Sequence, residues 1–526
     1  MIHEAAERAL RAVSKYPQCE AYASSAVVHT VYIDNSKISN IETKRDDGLM
    51  VRMIDGDRQG KASVSLCRDS SVDDCVRMAE SVLKFSPSTP NMNGYATPGK
   101  ARHAMPDVWD KRVEHITPDE LRELARAVID NCRVNIPRAQ IRVSTHDCVT
   151  MNGNGVDCSH RSTLVYGHFT SMAVRDHPGE GMETYHGTHL DLDPVEIGQA
   201  LSRKAEAAAV CTEFKGHEKL SMILPPSELG DMITSSVGSA IDGENVKYGT
   251  SLWKDSVGQQ VASKELTMVE DPTARAPLSC VFDDEGTPTE RRPVIENGVL
   301  RGFNRDCFCG DSTGNGMRRS SVEAQGAYER TPVIKPLNLG IAPGRYSRED
   351  IVEQTDSGIL VEKFAWPEAD ELTGRFGLNV RCGYVIKRGE IVATVNNALL
   401  MGNMIDAVAN VEMIGNDPKH MGVANVPTMS FSGTELVGNR GIHHGRRSAD
   451  HTGARSGDRM RPRRGLPDAQ DRGKARLQER PGAYEGRVQA VPRVRCPRGA
   501  GHGVLPGLRQ KIRPQLTSLT WLGIYR

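Results

Sequence analysis

The sequence lacks paired CxxC units, although it contains 12 cysteines. A zinc knuckle or a dense disulfide framework needs closely paired cysteines, so neither is indicated and most thiols are expected to be reduced. Long hydrophobic runs are also missing, since no stretch approaches the roughly 18 to 20 apolar residues that span a bilayer. The first residues lack the apolar core of a secretory signal. We therefore expect a cytoplasmic protein without a membrane-spanning segment.

Aromatic residues make up only 5% of the chain, whereas hydrophobic residues reach 38% and charged residues 25%. This balance is typical of a globular protein with a modest aromatic core. The chain of 526 residues is longer than one hydrophobic core normally serves. Because that limit is about 250 to 300 residues, two or three domains are expected.

The net charge of zero conceals an uneven distribution of charge. Residues 440–526 hold 18 Arg and 2 Lys against 4 Asp and 2 Glu, a net charge of +14, so residues 1–439 carry −14. This Arg/Gly/Pro-rich tail is expected to be disordered, because it has too little apolar surface to offset the entropy of ordering. The excess of Arg over Lys favours a frameshift product over a nucleic-acid-binding arm. Nucleic acid is therefore not an expected partner.

Helical and strand-like periodicities alternate through the body of the chain and predict an α+β fold. Residues 1–109 have helical spacing at 2–14 and 71–84, with strand-like runs between them. This pattern predicts an N-terminal α/β domain.

The rest of the body divides into two further predicted domains. Residues 110–217 form a middle α+β segment, in which Thr117 caps a helix and alternating strands follow. Residues 218–439 contain mainly strand-like runs and Gly-containing turns, which predict a β-rich C-terminal domain. The disordered basic tail of residues 440–526 completes the expected organisation.

The middle domain contains the densest group of histidines in the chain: His160, His168, His177, His186 and His189. Histidines in such a group are candidate metal ligands. His186 and His189 are three residues apart, however, so on a strand they would point to opposite faces. Surface histidines are the favoured interpretation.

The C-terminal domain begins with a predicted buried strand at 220–224, which Pro225 and Pro226 end. Ser227 is expected to cap the helix that follows. Six apolar residues share one face of this helix: Leu229, Met232, Ile233, Val237, Ala240 and Ile241.

Several segments are similar to known sequence motifs. They are VFDDEGTPT at 281–289, VIENGVLRG at 294–302 and STGNG at 312–316, preceded by DGLMVRM at 47–53 and GKAS at 60–63. In this order they resemble the TldD/PmbA family of metallopeptidases. The resemblance covers most of the body and is closer to the PmbA (TldE) type.

Active members of this family carry a HExxxH helix, in which two histidines and a distant cysteine bind zinc and the glutamate is the general base. The matching stretch here has Thr234 and Ser239 at the histidine positions and Ser235 at the glutamate position. The distant cysteine corresponds to Ile414. Zinc activates water only when its ligands hold it beside a base. The resemblance therefore implies that this chain binds no zinc and has no catalytic residue of the family type.

A serine nucleophile is an alternative at Ser235 or Ser239, but no GxSxG elbow or neighbouring histidine supports it. Two further groups are candidate motif or peptide-groove residues: Asp283, Asp284, Glu285, Gly286, Gly314 and Asn315. The acidic residues could form a metal or acid/base cluster, although a turn is favoured. The glycines beside Asn315 could let backbone amides approach a ligand.

The resemblance implies a non-catalytic subunit that pairs with a zinc-bearing TldD-type subunit. Such a complex cleaves peptides or unstructured polypeptides, and edge strands could receive an extended peptide by β-augmentation. One alternative is a metallopeptidase that acts alone through ligands in the histidine group. Another is a non-enzymatic regulator of DNA-associated machinery.

Overall fold

The computed structural model describes residues 1–68, 70–89, 93–319 and 325–438. Within these ranges the chain is a strand-rich mixture of strands and helices, which confirms the predicted α+β fold class. The predicted basic tail lies outside the described residues. None of the described helices is long and apolar enough to cross a lipid bilayer.

An antiparallel sheet of six strands occupies the N-terminal half of the chain. Its strands are β1 (Gln18–Asp34), β2 (Lys37–Asp55), β3 (Arg58–Ser65), β4 (Asn135–Asn152), β5 (Asp157–Val174) and β6 (Pro178–Gly187). They pair in the order β3–β2–β1–β4–β5–β6, with Tyr22 of β1 opposite Thr150 of β4. The predicted domains 1–109 and 110–217 therefore share one sheet. Periodicity identifies the two faces of a strand but not its neighbours, so this pairing was not predicted.

Five helices accompany this sheet: α1 (Ile2–Val13), α2 (Ser71–Phe85), α3 (Lys111–Glu114), α4 (Pro118–Asp130) and α5 (Pro194–Ala208). The helices predicted at 2–14 and 71–84 are confirmed. The predicted cap of α4 is confirmed as well, because the Thr117 hydroxyl accepts from the Glu120 amide and the Glu120 carboxylate accepts from the Thr117 amide. This reciprocal capping box fixes the start of α4.

The two faces of the sheet have different chemistry. Ala21, Val51 and Met151 are opposed in register and lie in the apolar core that α1 and α2 cover. The neighbouring positions point to the other face, because side chains alternate along a strand. That face carries the buried polar side chains of Glu20 and Thr150, and it packs against segments from the C-terminal half.

The C-terminal half consists of many short elements. Its strands are β7 (Thr212–Glu213), β8 (His217–Leu224), β9 (Met268–Glu270), β10 (Arg292–Glu296), β11 (Val299–Leu300), β12 (Gly316–Met317), β13 (Val333–Ile334), β14 (Leu339–Ile341), β15 (Ser357–Phe364), β16 (Arg375–Lys387), β17 (Glu390–Asn396), β18 (Ala398–Asn403), β19 (Val411–Ile414), β20 (Lys419–Met421), β21 (Ala424–Val426) and β22 (Met429–Gly438). Its helices are α6 (Pro226–Ile233), α7 (Gly243–Lys247), α8 (Arg348–Glu353) and α9 (Met404–Ala409), with a 3₁₀ turn at Ala327–Glu329.

Five of these strands form a closed circuit of hydrogen-bonded neighbours. β8 pairs with β15 in parallel, and β15–β16, β16–β18, β18–β22 and β22–β8 pair antiparallel. Closure leaves these strands without a free edge along most of their length. Strand β17 extends the circuit beside β16, and a second sheet runs in the order β11–β10–β9–β14–β21–β20. The helix α6 packs its apolar face into the core that these sheets share.

The close packing of α5 against β6 allows a test of this fold. A Cβ added at Gly179 would lie 2.1 Å from the Ala209 nitrogen and 2.5 Å from the Ala205 carbonyl oxygen. Gly179→Ala should therefore lower the free energy of unfolding by about 1 to 3 kcal/mol, measured by urea titration. Gly302→Ala is the matched control, because its Cβ would meet no atom within 4 Å. Equal unfolding midpoints for the two variants would contradict the described packing.

Candidate functional site

The helix α6 begins at a pair of prolines and leads into a π-turn, Thr234–Gly238. Pro225 precedes the helix and Pro226 is its first residue, so Ser227 lies inside the first turn. The predicted cap by Ser227 is therefore wrong, because proline suits the first helical position, where no amide hydrogen is needed. The predicted apolar face is confirmed, since all of its members are buried: Leu229, Met232, Ile233, Val237, Ala240 and Ile241.

The π-turn covers the stretch that resembles the zinc motif. A π-turn closes hydrogen bonds between residues i and i+5, whereas residues five apart in an α-helix lie about 140° apart around the axis. A π-turn therefore brings positions 234 and 239 closer to one full turn apart than a regular α-helix would. The two histidines of HExxxH have the same spacing of five residues. The backbone thus has a conformation that would direct two such ligands together.

The hydroxyl groups of this turn are bonded within the protein. Thr234 Oγ1 donates to the Gly230 carbonyl at 2.9 Å, and Ser235 Oγ donates to the Met232 carbonyl at 3.3 Å. Ser235 Oγ also accepts from the Ala369 amide at 3.2 Å. Ala369 belongs to the connection between β15 and β16, which therefore lies against the position of the family's general base. A hydroxyl that donates to a helix carbonyl is a structural hydroxyl and not an activated nucleophile.

The two other ligand positions are equally unsuited to zinc. Ser239 Oγ accepts from the Asn245 side chain at 2.9 Å, and Ile414 is buried in the apolar core beside Met429. Zinc sites in proteins are built from imidazole, thiolate and carboxylate groups, and neutral hydroxyls are poor substitutes. The residues at these positions therefore do not fit a zinc ion.

The acidic segment forms a turn, which agrees with the favoured interpretation of its sequence. Asp283 Oδ1 accepts from the Glu285 and Thr287 amides at 3.0 and 2.8 Å, and Oδ2 accepts from the Gly316 amide at 2.8 Å. Gly286 completes the turn at φ +88°. Burial and the nearby Glu285 carboxylate raise the pKa of Asp283. The segment organises the backbone around it and is not open to a substrate.

Asp284 connects the two halves of the protein. Its backbone oxygen accepts from the Thr150 hydroxyl at 2.8 Å, on the polar face of the N-terminal sheet. Its carboxylate accepts from the Arg318 amide at 2.7 Å and pairs with the Arg319 guanidinium, where Nε and Oδ1 are 3.3 Å apart. Burial alone would raise the pKa of Asp284, but the two arginines lower it. Asp284 is thus a buried carboxylate that stays ionised.

Glu20 is the second carboxylate of this connection and is fully buried. It accepts from Arg52 Nε and Nη2 at 2.9 and 2.8 Å and also from the Arg318 guanidinium. Arg52 in turn lies 3.6 Å from Glu285. Although burial acts to raise the pKa of Glu20, Arg318 and Arg52 lower it. We call Glu20, Arg52, Asp284, Arg318 and Arg319 the buried ion cluster.

The segment around Asn315 is also internal. Asn315 is buried and its side-chain amide lies 3.3 Å from Glu270 and 3.2 Å from the Lys335 carbonyl. Gly314 has φ +81°, and a Cβ at Gly316 would lie 2.5 Å from a Glu285 oxygen. The glycines are therefore needed for close packing. Gly314, Asn315 and the acidic turn are thus buried inside the protein.

Sequence reasoning missed the residues that bind these motifs together. Glu20, Arg52 and Glu270 lie within strands whose patterns predict only pairing. Arg318 and Arg319 follow the Gly-rich segment after Met317, and their two adjacent charges were the one available signal. Two charged residues after a tight turn indicate a buried ion pair only when their partners are known.

Among the histidines of the middle domain, His160 does not lie at the surface, so the prediction of surface histidines was wrong for this residue. His160 is buried on the polar face of the sheet, and the other four are half-buried. Packing of the C-terminal half onto the sheet encloses positions that would be exposed on an isolated domain. Burial lowers the pKa of His186 to about 4, so this imidazole is neutral at physiological pH.

The five histidines also lie in different places. His160 is opposite Cys148 on β4, near Arg319. His168 and His186 occupy neighbouring strands, and His186 contacts the Tyr166 ring edge-on at 5.3 Å between ring centroids. Over the described ranges, no three His, Cys, Asp or Glu side chains converge in a way that could hold a metal ion.

The comparisons with known proteins agree with these features. The PmbA/TldA metallopeptidase C-terminal domain matches residues 217–438, and the PmbA/TldA metallopeptidase domain 1 matches residues 19–83. A metalloprotease TldD homolog from Buchnera aphidicola is 30% identical over 196 residues, 36% of this chain and 39% of that protein. The match thus spans about two fifths of the length of this curated relative.

Two relatives match over most of their length. A metalloprotease PmbA homolog from Buchnera aphidicola is 22% identical over 437 residues, which are 80% of this chain and 93% of that protein. The crystal structure of TldE from Thermococcus kodakarensis superposes with a TM-score of 0.74 at 21% identity, covering 82% of this chain and all of that one. The fold is therefore that of a metallopeptidase-type α+β protein. The chain belongs to the TldD/PmbA family.

The buried ion cluster gives a testable prediction. Glu20→Gln keeps the shape of the side chain but leaves Arg52 and Arg318 without their carboxylate. The free energy of unfolding should fall by about 3 to 5 kcal/mol, because a buried charge loses its partner. Glu7→Gln is the control, since it removes an exposed pair with Arg11 and should change stability by about 0.5 kcal/mol or less. Similar losses in both variants, measured in guanidinium chloride, would contradict this role.

Proposed function

We propose that this chain is the non-catalytic partner of a zinc-bearing TldD-type subunit in a metallopeptidase complex. The complex would cleave peptides or unfolded polypeptides, with the zinc held by the other subunit. On the sequence evidence we place it in the cytoplasm. In this arrangement the present chain stabilises its partner and shapes the path of an extended peptide.

One observation carries this proposal: the π-turn is present, but the side chains that would bind zinc are replaced. The apolar face of α6 is buried, and the π-turn at Thr234–Gly238 lies at the position of the zinc motif. The hydroxyls of Thr234 and Ser235 are bonded to helix carbonyls. Because the fold is present but the zinc-binding side chains are replaced, a structural role is better supported than independent enzymatic activity.

Membership of the family supports the same proposal from another direction. Two of the relatives that match over most of their length have the names PmbA and TldE, whereas one TldD homolog matches over 39% of its length. The alternative, a peptidase that acts alone through the histidine group, has less support. Its histidines are divided between separate parts of the sheet, and His160 is enclosed.

Co-expression tests the proposal directly. This chain should be produced alone and together with a HExxxH-bearing relative from the same genome. We expect zinc in a stoichiometric amount and chelator-sensitive cleavage of unstructured peptides only when both chains are present. Metal analysis and a peptidase assay on the purified samples measure this.

The control carries a substitution in the relative and not in this chain. Replacing the glutamate of its HExxxH motif should abolish cleavage while the two chains still copurify. Zinc-dependent cleavage by this chain alone would refute the proposal. Failure of the two chains to copurify would refute the partner role.

Rebuilding the motif tests whether the π-turn can still direct zinc ligands. The variant Thr234→His, Ser235→Glu, Ser239→His and Ile414→Cys supplies the family's ligand set. We expect it to bind about one zinc per chain, because the π-turn brings positions 234 and 239 closer to one full turn apart than a regular α-helix would. Atomic absorption after dialysis measures the bound metal.

The matched control replaces Thr234, Ser235 and Ser239 with alanine, together with Ile414→Cys. It should retain no zinc, because one thiol alone is insufficient for a structural or catalytic site. Circular dichroism checks that both variants are folded. A folded variant with the full ligand set that binds no zinc would contradict the described geometry of the turn.

A further inference from the structure

Two cysteines meet where the N-terminal half joins the closed circuit of strands. Cys211 follows α5 and directly precedes β7, whereas Cys382 lies in β16. Their sulfur atoms are 3.6 Å apart, although 170 residues separate them in the sequence. Both are reduced and each is only 3% exposed. The fold therefore places two distant thiols in direct contact.

Backbone pairing on both sides holds the two cysteines in place. Next to Cys211, β7 pairs in parallel with β17, and the Thr212 hydroxyl donates to the Thr394 carbonyl at 3.0 Å. Next to Cys382, Gly383 is opposite Val395 of the same strand β17. The contact between the sulfurs is thus built on ordered strands and not on two flexible loops.

The surroundings of Cys211 favour its thiolate form. The Cys382 thiol beside it, the Gly383 amide and His177 lower the pKa of Cys211 to about 7, against the opposing effect of burial. The His177 ring contacts the Cys211 carbonyl oxygen and lies 3.1 Å from the Asn396 side chain, which positions the imidazole. A thiolate is the reactive form of cysteine, so Cys211 is the nucleophile of the pair.

We propose that Cys211 and Cys382 form a reversible disulfide bond when the protein encounters a peroxide. This modification site is independent of the proposed function, because it uses neither the π-turn nor a partner subunit. The sulfurs need to approach by about 1.5 Å to reach the bond length of a disulfide. A peroxide is small enough to reach Cys211 when the short strand β7 opens, since Val210 and Thr212 beside it are exposed.

The chemistry proceeds in two steps. The Cys211 thiolate attacks one peroxide oxygen, the O–O bond breaks, and the leaving hydroxide takes a proton to become water. This gives a sulfenic acid on Cys211. The Cys382 sulfur then attacks the Cys211 sulfur, the S–OH bond breaks, and the hydroxyl leaves as water with the Cys382 proton. Each peroxide is reduced by two electrons, and the two thiols lose two hydrogens.

The disulfide would tie the N-terminal half to the strand circuit. A crosslink that closes a loop of this length restricts the unfolded chain more than the folded one. We therefore expect the oxidised protein to unfold at a temperature several degrees above that of the reduced protein, and dithiothreitol should reverse the shift.

Mass spectrometry tests the proposal on the full-length chain. The protein should be treated with hydrogen peroxide at neutral pH, then alkylated and digested without reductant. We expect a linked pair of peptides that contain Cys211 and Cys382, and a loss of 2 Da that dithiothreitol reverses. Cys67→Ser is the matched control, because Cys67 is an exposed thiol outside the pair and its loss should leave the crosslink unchanged.

The substituted chains separate pairing from general oxidation. Cys382→Ser should abolish both the linked peptides and the rise in unfolding temperature, and Cys211 should instead carry added oxygen. The peptide map of the unsubstituted protein decides the question even if this variant folds poorly. The proposal is overturned if both thiols stay alkylatable while Cys67 is oxidised, or if the disulfides found join other cysteines.

Discussion

Glu20 lies between the guanidinium groups of Arg52 and Arg318, and the rest of the described structure depends on this buried contact. Through it the polar face of the N-terminal sheet meets the acidic turn and the Gly-rich segment of the C-terminal half. Asp284 and Arg319 extend the same cluster. Ionised groups can be enclosed in this way only when each has a partner, because an unpaired buried charge costs several kcal/mol. The cluster therefore constrains how the two halves pack.

This constraint explains why the acidic turn and Asn315 are buried in this chain. Asp283 and Asn315 lie in segments that resemble family motifs, yet both residues are buried and hydrogen-bonded to backbone groups. Their role is to hold the turns that bring Asp284 and Arg318 into the cluster. The candidate site is instead the π-turn, where the geometry for a pair of ligands remains and the ligands are absent. This domain thus has the backbone of the zinc motif without the side chains that would bind zinc.

Much of the fold could be predicted from local patterns. The helices at 2–14 and 71–84, the capping box at Thr117 and the apolar face of α6 depend on residues within one or two turns of each other. The shared sheet could not be predicted, since the pairing of Tyr22 with Thr150 joins strands more than a hundred residues apart. The burial of His160 could not be predicted either, because it also depends on residues distant in the sequence. Its burial depends on segments that arrive from the C-terminal half.

The sequence by itself determined the family, the fold class and the residues at the zinc positions, because these follow from residue types and their spacing along the chain. Only the tertiary structure decided that a π-turn begins at Thr234, and that Glu20 meets Arg318. It also brought Cys211 against Cys382. These contacts result from strand pairing and from the partners available to buried charges. Both depend on the whole folded chain, so no local pattern specifies them.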